Sequence, residues 1–365
     1  MHTDACYSTA PTWIDAKVRA VSVALLVIMG ISLGLSIFFY TGYYNGDDRS
    51  YLYSVKAIVG EEALTRGDFG ALRLGVTGPA ALAYWLFGGS VTAAVCVFLL
   101  YPPLLTLVAY WIGFRAYGAA VGLLAAFLTA ASPILYVYAG AMLPDNPLAL
   151  WWSLALVAML NLLLDTYSPA PSRVRQAAWA GVAGVCLGLA YLVKETGLIG
   201  VVPLTAGLLL CDRTMSWRRM LGCGGLLLLA VVVVVAAEAV LLRHLTGHWV
   251  LRLGASQTPQ IEGLLRERMV QHGATFTTRL TWLRLQLQPL FGSALVPALL
   301  AVLACPLLSG RKKGNQRAGW LLVIAALWPA LYLTYGSATV RHWVFPPIWG
   351  RYYAPCLIPA AVAEP

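Results

Sequence analysis

The sequence predicts an all-α integral membrane protein, and two observations carry that prediction. Of its 365 residues 60% are hydrophobic and only 11% are charged, with a mean hydropathy of +0.74. A water-soluble globule of this length needs far more charge on its surface. The apolar residues are also gathered into stretches of bilayer length, and the basic residues collect in alternate connections between them. The formal net charge of +10 is therefore a matter of distribution across a membrane, and no nucleic-acid partner is expected.

Apolar stretches run over about 20–40, 91–112, 118–138, 146–164, 177–193, 197–211, 219–242, 287–308 and 318–336. A membrane helix requires ~17–25 such residues, and two of the stretches are short by that measure. A tenth begins near Tyr352 and is cut by the chain end, so the bundle is expected to hold about nine to ten transmembrane helices. Lys17 and Arg19 precede the first stretch, and no small-residue cleavage site follows it. It also exceeds the ~7–15 residue apolar core of a signal peptide, so it reads as an anchor that stays. No soluble domain or repeat interrupts the pattern, and residues 1–365 read as one polytopic domain.

Orientation follows from the short connections. With a cytoplasmic N-terminus, the inner loops hold Arg115, then Arg173 and Arg175, then Arg213, Arg218 and Arg219, then Arg311, Lys312, Lys313 and Arg317. Every short inner loop is then basic, as the positive-inside rule requires. The expected location is the cell (plasma or inner) membrane, with most acids outside, including Asp47, Asp48, Asp145 and Glu195.

Two outer segments exceed simple turns. The first, about 41–90, contains Tyr51, Val55, Ile58 and Val59 at helical spacing, opposite Lys56 and Glu62, and then the apolar but short "TGPAALAYWLFGG". Helices lying in the interface plane account for both. The second, about 243–286, carries six arginines against Glu262 and Glu267. It is either a plain translocated loop or a surface for anionic headgroups, whose oxygens match the guanidinium fork.

Several polar residues stand where chains leave the membrane. Asp47 and Asp48 follow the first stretch directly, and could form a solvated turn, an ion site or an acid–base centre. Asp145 in "LPDNPLALWW" faces the same side, as a helix cap or as a partner of that pair. Lys194 and Glu195 in "YLVKETGLIG" fall between two apolar stretches with almost no loop, a costly place for charge. Arg351 and Tyr352 open the last segment, as an interfacial anchor or a headgroup clamp. The seven cysteines show no paired spacing, and neither a disulfide framework nor a zinc site is indicated.

Taken in order, these motifs resemble the polytopic C-type (GT-C) glycosyltransferases, specifically the protein O-mannosyltransferase and aminoarabinose-transferase-like group. The resemblance rests on Asp47-Asp48 with Tyr51 three residues on, on "RLGVTGPAALAYWLFGGS", on "LPDNPLALWW", on "GLAYLVKETGLIGVVPL" and on "GRYYAPCLIPA". It spans nearly the whole chain. The resemblance implies a GT-C-like bundle with interfacial helices in the first outer loop. It implies sugar transfer from a polyprenyl-phosphate donor to a hydroxyl acceptor on the outer face, in contact with membrane lipids. Asp47 would be the general base, and Asp48 stands where the family carries Glu. Asp145 and Tyr51 would bind acceptor or a cation, and Lys194, Arg351 and Tyr352 would hold the donor phosphate. Asp48 with Asp145 could hold a divalent cation or none; no other cofactor is implied. The acceptor, whether protein, lipid or glycan, is left open. Relatives continue beyond the point matching Pro365, so a shortened or incomplete chain is expected.

The rival class is a transporter or flippase of lipid-linked intermediates. It would place polar residues midway through spans and break its helices there. The spans are nearly free of charge at their centres, although Pro102, Pro103, Pro133 and Pro329 interrupt them. A nucleotide-phosphate loop of the GxxxxGKS type is absent from the sequence.

Overall fold

The computed structural model describes residues 12–40, 42–43, 47–62, 73–137, 139–211, 215–247 and 313–335. Within them the chain is helical, with no strand among the described residues. The long apolar helices are α1 (Thr12–Phe38), α5 (Tyr101–Tyr117), α8 (Asp145–Thr166), α9 (Arg173–Val193), α11 (Trp217–Thr246) and α12 (Lys313–Tyr335). Between them lie α2 (Asp47–Ile58), α3 (Leu74–Leu86), α4 (Val91–Cys96), α6 (Ala119–Ala130), α7 (Pro133–Val137) and α10 (Val201–Leu209). A 3-10 turn, Val97–Leu100, joins α4 to α5, and a second, Glu195–Gly200, joins α9 to α10.

Among the described residues, five helical segments are long and apolar enough to cross a bilayer: Lys17–Phe38, Val91–Tyr117, Asp145–Thr166, Arg173–Val193 and Trp217–Leu245. Two of the expected spans are divided. The stretch 118–138 forms α6 and the short α7, parted at Ala131–Ser132 because Pro133 cannot continue the hydrogen-bond ladder of the preceding turn. The stretch 197–211 forms a 3-10 turn and the nine-residue α10. The expected span 287–308, the second long loop beyond Gly247, and Arg351 and Tyr352 lie outside the described residues.

α8 is the centre of the bundle. It packs antiparallel on α9 and also touches α5, α10 and α12, which buries Leu156, Met159, Leu160, Leu162 and Leu163 completely or nearly so. α9 and α11 meet through glycines spaced four apart. A Cβ at Gly184 would strike the Leu227 carbonyl, and one at Gly188 would lie 2.7 Å from the Val234 Cβ. Small residues at this spacing let helix backbones approach where no hydrophobic force drives association. α1 and α11 bury least and expose Leu26, Val27, Leu228 and Val232, as lipid-facing helices do.

The two ends of the bundle differ in charge. At one end Asp165 pairs with Arg175 at 2.7 Å, Arg219 reaches Gln176, and the Tyr167 hydroxyl donates to the Leu210 carbonyl. At the other end Phe39 stacks on Tyr136, Leu242 packs on Leu74, and the polar residues singled out above converge.

Candidate functional site

The site is assembled from helix ends. α2 begins at Asp47, so the carboxylate of Asp48 lies in its first turn, where exposed backbone N–H groups favour negative charge. Asp48, Tyr51 and Val55 share one face, and all three are buried. That face is both core and site. The side chain of Asp47 lies outside the described set.

Asp48 is fixed by the segment before α8: the Met142 backbone N–H donates to its Oδ1 at 3.0 Å. Three residues on, Asp145 opens α8, and its helix has Pro144 at the cap with no side-chain cap bond. Asp145 is the acidic residue of the first turn of that helix. It is 3% exposed and lies 3.5 Å from the Lys194 Nζ. Lys194 caps the C-terminus of α9 in an extended conformation. Each charge thus suits its own helix dipole, acid at a start and base at an end, and the antiparallel packing of α8 on α9 brings them together.

Glu195 continues directly from Lys194 and faces Arg73 at 3.8 Å. Arg73 stands at the N-cap of α3 and donates to the Tyr51 hydroxyl at 2.6 Å. α3 can come this close because Gly75 lies against the end of α9; a Cβ there would be 2.6 Å from the Val193 backbone nitrogen. The contacts close into a ring: Asp48 to Met142, Asp145 to Lys194, Glu195 to Arg73, and Tyr51 back to the helix that carries Asp48.

Around the ring, Asn146 donates to the Leu135 carbonyl at 3.0 Å, tying α8 to α7. The Tyr136 hydroxyl contacts Ser32 of α1 and the Ala130 carbonyl. Farther out, Tyr84 donates to Glu61 at 2.9 Å, and that bond pushes the Tyr84 hydroxyl above its ordinary range, with burial acting in the same direction. Lys56 pairs with Glu62 at 3.6 Å on a partly solvated surface, a contact of little energetic weight. Leu82, Trp85, Leu86 and Phe87 of the α3 region are exposed, a face suited to the interfacial depth of a bilayer.

Of the residues expected from sequence, Asp48, Tyr51, Asp145 and Lys194 are brought together; Asp47 opens the same helix, and Arg351 and Tyr352 lie outside the described residues. Glu195 was singled out from sequence beside Lys194 but given no role, and Arg73 was not among the expected site residues. The signal for Arg73 was a lone cation immediately before an apolar helix, where the dipole disfavours it and a carboxylate partner is needed. Among the described residues, no group of three or more His, Cys, Asp or Glu side chains is placed to share a metal ion.

Residues 79–237 match the family described as dolichyl-phosphate-mannose-protein mannosyltransferase. No curated protein sequence matches the chain. The chain is similar to the crystal structure of ArnT from Cupriavidus metallidurans bound to undecaprenyl phosphate. The TM-score is 0.60 at 16% identity, over 96% of this chain and 59% of that one. It is also similar to the oligosaccharyltransferase of Archaeoglobus fulgidus (TM-score 0.55, 14% identity, 94% of this chain and 50% of that one). A further similar structure is the archaeal oligosaccharyltransferase AglB from the same organism, in complex with an inhibitory peptide and a dolichol-phosphate (TM-score 0.52, 15% identity, 95% of this chain and 50% of that one). The chain thus spans between half and three-fifths of the length of these structures. Its fold is similar to the folds of ArnT and of the archaeal oligosaccharyltransferase, and residues 79–237 match the dolichyl-phosphate-mannose-protein mannosyltransferase family model.

Proposed function

We propose that the chain is a membrane glycosyltransferase that moves a sugar from a polyprenyl-phosphate donor to a hydroxyl acceptor on the outer face of the membrane. One observation carries the proposal: acids and bases from α2, α3, α8 and α9 form a ring at a single end of a GT-C-like bundle. The end opposite the ring is rich in arginine, which supports placing that end in the cytoplasm and the ring outside.

The reaction makes three demands that this set of residues can meet. A base takes the proton of the acceptor hydroxyl, and Asp47, at the start of α2, is the residue we assign to it. The acceptor oxygen then bonds to the anomeric carbon as the bond from that carbon to the phosphate oxygen breaks. The departing electron pair stays on the polyprenyl phosphate, whose growing charge needs cations nearby. Lys194 and Arg73 supply them within the described residues, with Arg351 and Tyr352 assigned the same task from sequence. Asp48 orients α2 against the Met142 backbone, and we assign acceptor binding to Asp145 and Tyr51.

The acid test is donor class. Membranes containing the chain are supplied with a radiolabelled sugar carried either on polyprenyl phosphate or on a nucleotide, and label on hydroxyl acceptors is counted. Label should move from the polyprenyl donor alone. Movement from the nucleotide sugar with none from the lipid would refute the assignment.

A further inference from the structure

Two of the contacts of Arg73 are of unequal length. Arg73 donates to the Tyr51 hydroxyl at 2.6 Å but stands 3.8 Å from Glu195. A guanidinium–carboxylate bond normally closes to about 2.7–2.9 Å and is often two-pronged. Solvent does not explain the gap, because the two side chains are only 12% and 16% exposed. In such surroundings an ion pair offsets its desolvation only when its geometry is tight. Glu195 is placed by the backbone instead. It follows the extended Lys194 and begins the 3-10 turn, and Gly197 within that turn lies against the Ala190 backbone, where a Cβ would meet the carbonyl carbon at 2.5 Å. The turn therefore holds the Glu195 carboxylate beside Arg73, with the Arg73 Nη2 to Glu195 Oε2 separation at 3.8 Å rather than at hydrogen-bond length.

We propose that Glu195 is a place-holder anion: its carboxylate occupies the anion position at Arg73 that a donor phosphate oxygen takes, and donor and Glu195 exchange there. The inference rests on the reading above, in which Arg73 and Lys194 receive the donor phosphate. Its chemical logic lies in the product. A sugar on a polyprenyl phosphate is a phosphodiester with one negative charge, whereas the polyprenyl phosphate left after transfer is a monoester carrying about −1.5 to −2. Two buried cations would hold that product more firmly than the donor. A tethered carboxylate that can retake Arg73 weakens binding of every phosphate ligand and speeds release of the more highly charged one.

The experiment uses the full chain in lipid nanodiscs with undecaprenyl phosphate as the probe, read by binding affinity and by thermal shift. Glu195→Gln should bind the probe about tenfold more tightly than the native chain, the scale of one charge-assisted hydrogen bond. Its first turnover should persist while its steady-state rate falls. Glu195→Asp, with a shorter arm and intact charge, should tighten binding less, and it carries the test if the Gln variant fails to fold. In an Arg73→Gln background, Glu195→Gln should change affinity little. Equal or weaker probe binding by both Glu195 variants, or tightening that survives Arg73→Gln, would overturn the place-holder role. A native chain that neither binds the probe nor transfers sugar would overturn the donor reading and the place-holder with it. That outcome is told apart because it appears before any substitution is made.

Discussion

The Lys194 ammonium lies 3.5 Å from the Asp145 carboxylate, at the point where the end of α9 meets the start of α8. The side chains are 11% and 3% exposed, so each charge depends on the other for much of its solvation. Breaking such a pair from one side costs on the order of 3–5 kcal/mol, because the survivor is left charged in a low-dielectric site. Lys194→Met should accordingly lower the melting temperature in detergent sharply. Removing both charges with Lys194→Met and Asp145→Leu together should recover most of that loss yet leave sugar transfer absent. Recovery of transfer in the double variant would show that the pair serves the fold alone.

Asp48 tests position against charge. Its Oδ1 accepts the Met142 N–H, and an asparagine oxygen can accept the same bond. Asp48→Asn should therefore keep near-native stability, whereas Asp48→Ala should lose roughly 1.5–3 kcal/mol, the range for hydrogen bonds to charged groups. Chemical denaturation of both variants in the same detergent separates the two, and equal losses would argue against the anchoring role.

Helix contact predicts opposite signs at glycines one turn apart. A Cβ at Gly181 meets only Leu226 side-chain atoms at 3.8 Å, so Gly181→Ala should be neutral or stabilise by up to ~1 kcal/mol. At Gly184 a Cβ would strike the Leu227 carbonyl, and Gly184→Ala should destabilise by ~1–3 kcal/mol as α11 is pushed away. Thermal melts of the two single variants decide the matter.

The Tyr84–Glu61 bond carries a pH signature. The folded hydroxyl has its pKa raised above the ordinary 10.0, first by the bond to Glu61 and then by burial. A raised pKa means stability that is fully present below pH 10 and is lost as pH rises through the folded value. Tyr84→Phe should thus be less stable than the native chain at neutral pH, and the gap should narrow above pH 10. A gap that stays constant through alkaline pH would mean that the hydroxyl contributes nothing through Glu61.

Much of the site was legible because its residues lie at the ends of apolar stretches. Asp48, Tyr51, Asp145 and Lys194 all stand where a helix leaves the apolar layer on one side, and topology alone places them on a common face. Pairing was not legible. That Lys194 answers Asp145 while its neighbour Glu195 answers Arg73 depends on how α3 and α8 pack against α9, which hydropathy does not encode. The divided spans teach a similar lesson. Residues 118–138 are apolar throughout, yet Pro133 parts them into α6 and α7, and the short α7 then holds Asn146 through the Leu135 carbonyl. Hydrophobicity counted those residues as membrane-crossing, and backbone chemistry decided their shape.

The central claim is that this end of the bundle transfers sugar with Asp47 as the base. The most direct measurement compares the native chain with Asp47→Asn in membranes supplied with radiolabelled polyprenyl-phosphate sugars, with insertion and folding checked in parallel. The account predicts label on a hydroxyl acceptor with the native chain and essentially none with a fully inserted, folded Asp47→Asn. Full transfer by that variant would contradict the assignment of Asp47, and no transfer by the native chain from any polyprenyl donor would contradict the reaction itself.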